Sequence, residues 1–235
     1  MLVASNNVCN LTIMRQTLIL LALFLVSCNS VTNNKFNELL NKPEDEYFKK
    51  YEIFDDKNFL ITLTTIDTTN SYKIEKPTIV LNFLRKNINQ IDNLINDSLF
   101  YLYQIGAKNE IKADFIDFNF DGTKDIVIPY GTDPRGNSGF HLYLVDNKLK
   151  TIHYINGFNE IGNPTPDSTN YLIYSFVFSG PPFCNFYQIN NKNEVINLEH
   201  YIEFYDIENN FDSLINREIE KIKLEKTMHN NGCMQ

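Results

Sequence analysis

Apolar and polar residues alternate with a period of two in many short stretches of this chain, which is the spacing of a strand that buries one face. In the first such stretch, Phe59, Ile61 and Leu63 share one face. Stretches with strand character are residues 59–64, 78–84, 99–104, 111–118, 126–130, 140–145, 171–178, 186–189 and 195–204. Turn residues such as Asp121-Gly122 and Asn190-Asn191 separate several of them. We therefore predict a mostly β protein: an antiparallel β-sheet domain arranged as a meander, a barrel or a propeller.

Two segments depart from this alternation and indicate helices. Residues 36–57 begin with a helix-like pattern and are rich in charge, and Pro43 interrupts them. Residues 212–226 place apolar side chains at helical spacing. These side chains are Leu214, Ile215, Ile219 and Ile222. The sequence thus predicts a short N-terminal helical segment and a single β-rich domain over residues 58–235, with a helix near its C-terminus.

Residues 14–28 (MRQTLILLALFLVSC) combine a positive residue with a ten-residue apolar run, which is too short for an ordinary transmembrane helix. The run ends in Leu25-Val26-Ser27-Cys28, which resembles the lipobox of bacterial lipoproteins. That resemblance implies a signal peptide over residues 1–27, with Met14 as an alternative start, and lipidation of Cys28 in the cell envelope. Residues 28–57 would then hold the lipidated Cys, a tether and the helical segment. An ordinary signal peptide followed by a chance Cys is the alternative.

The charge balance narrows the classes of partner. The chain has 21 Lys and Arg against 29 Asp and Glu, for a net charge of −8, and it contains no long basic run. A general nucleic-acid binder is therefore excluded, because neutralising phosphates requires clustered Lys and Arg. An acidic protein suits cations or basic protein partners. No nucleophile motif such as GxSxG occurs, so we predict no enzyme, although paired carboxylates for glycoside hydrolysis depend on spatial separation and stay open.

Apart from the lipidated Cys28, two cysteines, Cys184 and Cys233, remain after the predicted cleavage. In an oxidising envelope the simplest expectation is that they pair, and the alternative is two free thiols. A disulfide would close a loop of about 50 residues and stabilise the fold by up to ~4 kcal/mol in the chain-entropy model.

The segment from Asp117 to Asp125 (DFNFDGTKD) has the spacing of a calcium loop. Oxygen-bearing side chains stand at positions 1, 3, 5 and 9, and the carbonyl of Thr123 at position 7 would complete the set. The side chains are those of Asp117, Asn119, Asp121 and Asp125. Gly122, at position 6, permits the sharp turn. Ile128 stands where a helix-flanked EF-hand would carry Glu, so the expected cofactor is Ca²⁺ in a different loop type. The alternative is a hairpin turn with solvated acidic residues.

This loop, flanked by strands, resembles the DxNxDGxxD loops of FG-GAP and integrin-type repeats. With the lipobox and a Gly-Asn-Ser-Gly segment leading into an aromatic strand, the chain resembles bacterial envelope lipoproteins. Some of these are similar to periplasmic lysozyme inhibitors and act as immunity proteins against peptidoglycan hydrolases. The resemblance implies inhibition by loop insertion, with a contact set of Arg135, Asn137, Ser138, Gly139 and Tyr143. Tyr143 follows the Ser-Gly pair one or two places later than in those inhibitors. A calcium-dependent surface adhesin or glycan-binding lipoprotein is the alternative.

Overall fold

A computed structural model describes residues 35–45, 47–66, 78–86, 91–100, 112–204 and 211–232. Residues 35–41 form a helix, α1. The strands are β1 (Phe48–Ile53), β2 (Asp56–Ile66), β3 (Thr78–Lys86), β4 (Ile91–Phe100), β5 (Asp114–Ile116), β6 (Asp125–Thr132), β7 (Ser138–Asp146), β8 (Thr151–Tyr154), β9 (Pro164–Asp167), β10 (Leu172–Val177), β11 (Phe183–Ile189) and β12 (Val195–Glu203). A single 3-10 turn covers Phe158–Glu160, and helix α2 covers Phe211–Gly232. The predicted signal peptide, the lipobox with Cys28, and Cys233 lie outside the described residues.

The described strands form three four-stranded sheets in the orders β1-β2-β3-β4, β5-β6-β7-β8 and β12-β11-β10-β9. Each strand pairs with its neighbour along the chain, so each sheet is a meander. In the turn between β7 and β8, Asp146 accepts hydrogen bonds of 2.8 Å from the backbone N–H groups of Lys148 and Leu149. The prediction of a mostly antiparallel β fold with a C-terminal helix is confirmed. The described sheets are not closed, so they do not form the barrel that was one of the predicted arrangements.

The contacts divide the chain into two compact units. One contains α1 and most of β1 to β4, and the other contains β5 to β12 with α2. The sequence predicts one domain over residues 58–235, whereas the structure groups β2 to β4 with the preceding segment. The reason is β1, which was expected to belong to a helical segment and instead pairs with β2, with Tyr51 opposite Ile61. The hairpin turns at Phe54 and Asp55, both in the left-handed region at φ 66° and 51°.

The first unit buries side chains from its helix and its sheet together. Phe36 on α1, Leu60 on β2 and Leu84 on β3 form one cluster, with Leu39 and Leu40 packed against it. Each fully buried side chain of this type contributes about 1.5–3 kcal/mol relative to exposure.

In the second unit, the sheet β9–β12 buries both of its faces. One face packs against the sheet β5–β8 in an inter-sheet cluster of Phe118, Val127, Leu142, Leu144, Ile155, Phe158, Ile161 and Ile173. The other packs against α2 in a helix-face cluster of Leu172, Cys184, Phe186, Phe204, Ile215, Ile219 and Ile222. Because neighbouring strand residues point to opposite faces, Leu172 and Ile173 belong to different clusters.

Helix α2 buries the face that the spacing predicted. Ile215, Ile219 and Ile222 are buried, and the helix extends to Gly232, beyond the predicted end at residue 226. In the described part of the chain, no helix has the length and apolar character needed to cross a membrane.

Candidate functional site

The loop from Asp117 to Asp125 connects β5 to β6 and is closed by its own side chains. Asp117 Oδ2 accepts a hydrogen bond from the backbone N–H of Gly122 at 2.9 Å, and Asp121 Oδ1 accepts one from Thr123 at 2.7 Å. Gly122 has φ +86°, as expected for the sharp turn. Phe120 is also in the left-handed region, at φ +61°, which the sequence did not predict for a bulky residue.

Asp125 supports the loop from the interior. Its side chain is fully buried, and its two oxygens accept backbone hydrogen bonds from Phe118 at 2.9 Å and Val145 at 3.1 Å. The pKa of Asp125 is raised to about 7, mainly by burial and also by the charges of Asp121 and Asp117, although the two backbone hydrogen bonds favour the carboxylate. Asp125 was predicted as the calcium ligand at position 9 of the loop, but each of its carboxylate oxygens accepts a hydrogen bond from a backbone N–H group.

Asp117 carries the feature that fits a cation. Its Oδ1 atom is buried and has no hydrogen-bond partner. A buried carboxylate oxygen without a partner is costly, and a cation would remove that cost. Over the residues that the structure describes, no three Asp, Glu, His or Cys side chains converge as a metal-binding group. Asn119 and Asp121 contact one another, because Asn119 Nδ2 donates to Asp121 Oδ2 at 3.0 Å and Asn119 Oδ1 accepts from the Asp121 N–H at 3.2 Å. An ion beside Asp117 would share or replace these contacts.

The loop borders a polar cavity of about 300 Å³. Asn119, Asp121 and Thr123 line it from the loop, which agrees with alternate residues facing the same side. The remaining polar lining comes from the β7–β8 hairpin and the β11–β12 turn, namely Asp146, Asn147, Lys148, His153 and Asn193. Ring nitrogens, amides and an ammonium group thus surround the open side of the loop.

The loop between β6 and β7, predicted to contact a partner, is organised by Asp133. This carboxylate accepts hydrogen bonds from the backbone N–H groups of Arg135 at 2.8 Å and Asn137 at 2.9 Å, and from the Asn137 side chain at 2.8 Å. The side-chain hydrogen bond from Asn137 is the main reason that the pKa of Asp133 is lowered. An ionised Asp133 therefore holds the turn.

Asn137 joins this loop to the segment after β10. Its Nδ2 donates to the carbonyl of Phe178 at 2.9 Å, and its Oδ1 accepts from the Phe178 N–H at 2.8 Å. The same Oδ1 accepts from Asn163 Nδ2 at 3.3 Å. With the bond to Asp133, the carboxamide uses all four of its hydrogen-bonding positions.

Asn163 is a supporting residue that the sequence reasoning missed. Its Oδ1 accepts from the Ser138 N–H at 2.8 Å, its backbone N–H donates to the Ser138 carbonyl at 2.7 Å, and its Nδ2 donates to the Phe176 carbonyl at 2.8 Å. Asn163 has φ +48°, and asparagine tolerates that conformation better than most residues. We refer to residues 133–137, 159–163 and 178–181 together as the three-loop tip.

The residues predicted to contact a partner differ in their placement. Arg135 is exposed and its Nη1 donates to Ser179 Oγ at 3.0 Å. The Ser138 hydroxyl is 2.8 Å from that of Thr132. A Cβ atom on Gly139 would stand 2.8 Å from the carbonyl oxygen of Asn159, so this glycine permits close packing. Tyr143 is fully buried in β7 and is not part of the tip, because both faces of that strand are covered.

Cys184 is buried in the helix-face cluster, and it forms no disulfide with any residue that the structure describes. Burial raises the pKa of this thiol to about 12, which makes it a poor nucleophile at neutral pH. Its predicted disulfide partner, Cys233, lies outside the described residues, so the pairing stays a prediction.

Comparison with known proteins gives no match to a family model, a curated protein or a solved structure.

Proposed function

We propose that this chain is a non-enzymatic binding protein of the cell envelope, anchored through a lipid on Cys28, that inhibits a lysozyme-like peptidoglycan hydrolase. The contact surface is the three-loop tip. The observation that supports this proposal is the hydrogen-bonded Asn137 carboxamide, which holds two loops together without any partner. A surface that is already ordered loses less conformational entropy on binding, which favours tight association.

The tip carries the chemistry that an enzyme cleft with catalytic carboxylates would accept. Arg135 is exposed and can form a bidentate pair with a carboxylate. The Phe178 side chain is 43% exposed and, with the exposed Pro134 and Pro181, adds rigid apolar surface. The Ser138 hydroxyl and Gly139 are already engaged within the fold, so this proposal assigns the contact to Arg135 and Phe178. The acidic charge of the chain would speed encounter with a basic enzyme.

Calcium has a structural role in this proposal. Asp117, Asn119, Asp121 and the carbonyl of Thr123 would hold the ion, and Asp125 would support the loop through its backbone hydrogen bonds. Bound Ca²⁺ neutralises the clustered carboxylates. Strand β6 begins at this loop and ends at the three-loop tip, so an ordered calcium loop favours an ordered tip.

Inhibition of peptidoglycan hydrolysis tests the proposal. Purified chain is added to lysozyme-like enzymes of different families, and clearing of a peptidoglycan suspension is followed in the presence of calcium. Arg135→Glu is expected to abolish inhibition without changing the melting temperature. Lys192→Glu, at an exposed turn that follows β11, whereas the tip segment 178–181 precedes that strand, is the charge-matched control and should leave inhibition intact. Equal inhibition by both variants, or no inhibition by the unmodified chain, contradicts the proposal.

A second candidate function is glycan binding, because the polar cavity beside the loop offers amide, imidazole and ammonium groups to sugar hydroxyls. Under this function, Asp121→Ala would abolish calcium-dependent binding to immobilised glycans, and Arg135→Glu would leave that binding unchanged. The two variants therefore separate the two candidates.

A further inference from the structure

Strand β12 contains an irregularity that directs one histidine toward helix α2. Asn185 pairs with Tyr201, and the next residue pair is Tyr187 with Asn197, so three residues of β12 face a single residue of β11. Within this bulge, Glu199 is left-handed at φ +59°. Bulges commonly redirect a side chain, and a non-glycine residue at positive φ carries a cost that the surrounding structure must offset.

His200 follows this strained position and lies between two carboxylates of α2. Its Nδ1 is 2.8 Å from Glu218 Oε1, and its Nε2 is 3.0 Å from Glu225 Oε2. Lys221 Nζ is 2.8 Å from the other oxygen of Glu218. The side chains of His200 and Glu218 are only 13% and 10% exposed, whereas that of Glu225 is 53% exposed. The pair between His200 and Glu218 is therefore shielded from water.

We propose that His200, Glu218 and Glu225 form a proton-operated latch that fastens α2 to the sheet β9–β12, closed when the imidazole carries two protons and loosened when it loses one. This latch is independent of the proposed inhibitory function.

With two ring protons, the imidazole donates to both carboxylates at once. A neutral imidazole has one N–H donor and one lone pair, so it donates to only one of the two carboxylates and presents a lone pair to the other. The imidazolium donates to both and balances part of their charge. The hydrogen bond to Glu218 is the main cause that raises the pKa of His200, against desolvation, and Glu225 adds to it. Burial disfavours the Glu218 carboxylate, but His200 and Lys221 outweigh it and lower the pKa of Glu218.

The charged groups that shift the pKa of His200 are Glu218 and Glu225 on α2. On β12, Glu199 and Glu203 are exposed neighbours in sequence. On β11, the residues at the bulge are Asn185 and Phe186, which are uncharged, and the nearby Cys184 thiol stays protonated at neutral pH because its pKa is about 12. The titration that controls the latch is therefore that of His200.

Opening of the latch would uncover apolar surface. Helix α2 covers the helix-face cluster, including the fully buried Cys184 and Phe186. Docking of this helix, and access to the cluster, would thus depend on pH above the ordinary histidine pKa of 6.5.

Hydrogen exchange of the full chain tests the latch. The exchange rate of each α2 amide, divided by its intrinsic rate at that pH, measures the opening equilibrium. We expect this ratio to increase as the pH rises through the folded pKa of His200. The total increase should be about tenfold for each unit by which the folded pKa of His200 exceeds its unfolded pKa. Amides of β6 and β7 should not follow this dependence. An NMR titration should place the folded pKa of His200 above 6.5.

His200→Gln should remove the pH dependence, whereas His153→Gln, at an exposed histidine of the β7–β8 hairpin, should retain it. Glu225→Gln is a milder variant at the exposed end of the cluster, and it should lower the folded pKa of His200 and reduce the dependence. The proposal is overturned if the exchange ratio is independent of pH, if His200→Gln keeps the dependence, or if Glu225→Gln changes neither quantity.

Discussion

The carboxamide of Asn137 pairs with the backbone of Phe178 through two hydrogen bonds, at 2.9 and 2.8 Å, in the manner of a neighbouring strand. A side chain from the loop between β6 and β7 thereby continues the hydrogen bonding of a segment that follows β10. This contact joins two loops into one surface, although Asn137 and Phe178 are 41 positions apart in the sequence.

Replacing Asn137 should destabilise the second unit. Asn137→Ala removes four side-chain hydrogen bonds and leaves the Phe178 amide without its partner, at an expected cost of about 1–3 kcal/mol in the free energy of unfolding. Urea denaturation measures this change. Asn191→Ala, at an exposed turn, is the control and should change stability by less than about 0.5 kcal/mol. Similar effects of the two variants would mean that the pairing with Phe178 contributes little.

Calcium should stabilise the chain through the loop that begins at Asp117. A ligand that binds only the folded state adds about 2.7 kcal/mol at a concentration one hundred times its Kd. We expect a higher melting temperature with calcium than with chelator, and loss of that difference in Asp117→Ala and Asp121→Ala. Asp114→Ala, on β5 outside the loop, should respond to calcium like the unmodified chain. A calcium response that persists in Asp117→Ala would place the ion elsewhere.

Gly139 should contribute to the stability of the fold, whether or not it contacts a partner. A Cβ atom there would approach the Asn159 carbonyl to 2.8 Å, and backbone has little room to move. Gly139→Ala is therefore expected to cost about 1–3 kcal/mol of stability. Ser138→Ala removes only the hydroxyl contact with Thr132 and should cost less. Unchanged denaturation of Gly139→Ala would show that the chain accommodates the methyl group at this point.

The free energy of unfolding should depend on pH through His200 and Glu218. The raised pKa of His200 gives stability that is complete below its unfolded value of 6.5 and is lost as the pH rises through the folded pKa. The lowered pKa of Glu218 gives stability that is present above 4.5 and is lost as the pH falls through its folded pKa. The contribution of the pair is therefore largest between these two values.

The difference in stability between the unmodified chain and His200→Gln isolates the contribution of the coupled His200 and Glu218, because titrating groups that do not interact with His200 cancel. Chemical denaturation at several pH values measures it. The difference should be largest between about pH 4.5 and 6.5 and should shrink above the folded pKa of His200. A difference that is constant with pH would assign His200 a packing role only.

Cys184 should be protected from thiol reagents in the folded chain. In a chain of residues 29–235 that carries Cys233→Ser, Cys184 is the only cysteine. Its burial beneath α2 and the pKa of about 12 predict much slower labelling than in denaturant. Rapid labelling of the folded protein would contradict the packing of α2 over this residue. In the chain that retains Cys233, the number of free thiols measured after unfolding without reductant tests the predicted disulfide.

Several features of the fold could be predicted from local patterns in the sequence. Alternation along residues 126–130 and 140–145 predicted strands because successive side chains of a strand point to opposite faces. The spacing of Ile215, Ile219 and Ile222 predicted a helix with one buried face. The turn at Gly122 was also local, since glycine readily adopts the positive φ that the loop requires.

Other features depend on which distant segments meet. Residues 48–53 appeared as part of a charged helical segment, and pairing with β2 made them a strand. Tyr143 was assigned to a contact surface from its resemblance to the Ser-Gly…Tyr loops of lysozyme inhibitors, whereas the burial of both faces of β7 is decided by packing. Asn163 has no local signature, and its role arises from the approach of three loops.

The sequence by itself therefore determined the local elements: strands and turns of antiparallel meanders, a C-terminal helix and an acidic loop with the spacing of calcium ligands. Only the tertiary structure decided that Asn137 joins two loops, that Asp125 faces the interior and that His200 lies between two carboxylates. The physical reason is that local periodicity is encoded within a few neighbouring residues, whereas burial and hydrogen-bond partners are set by contacts between residues far apart in the chain.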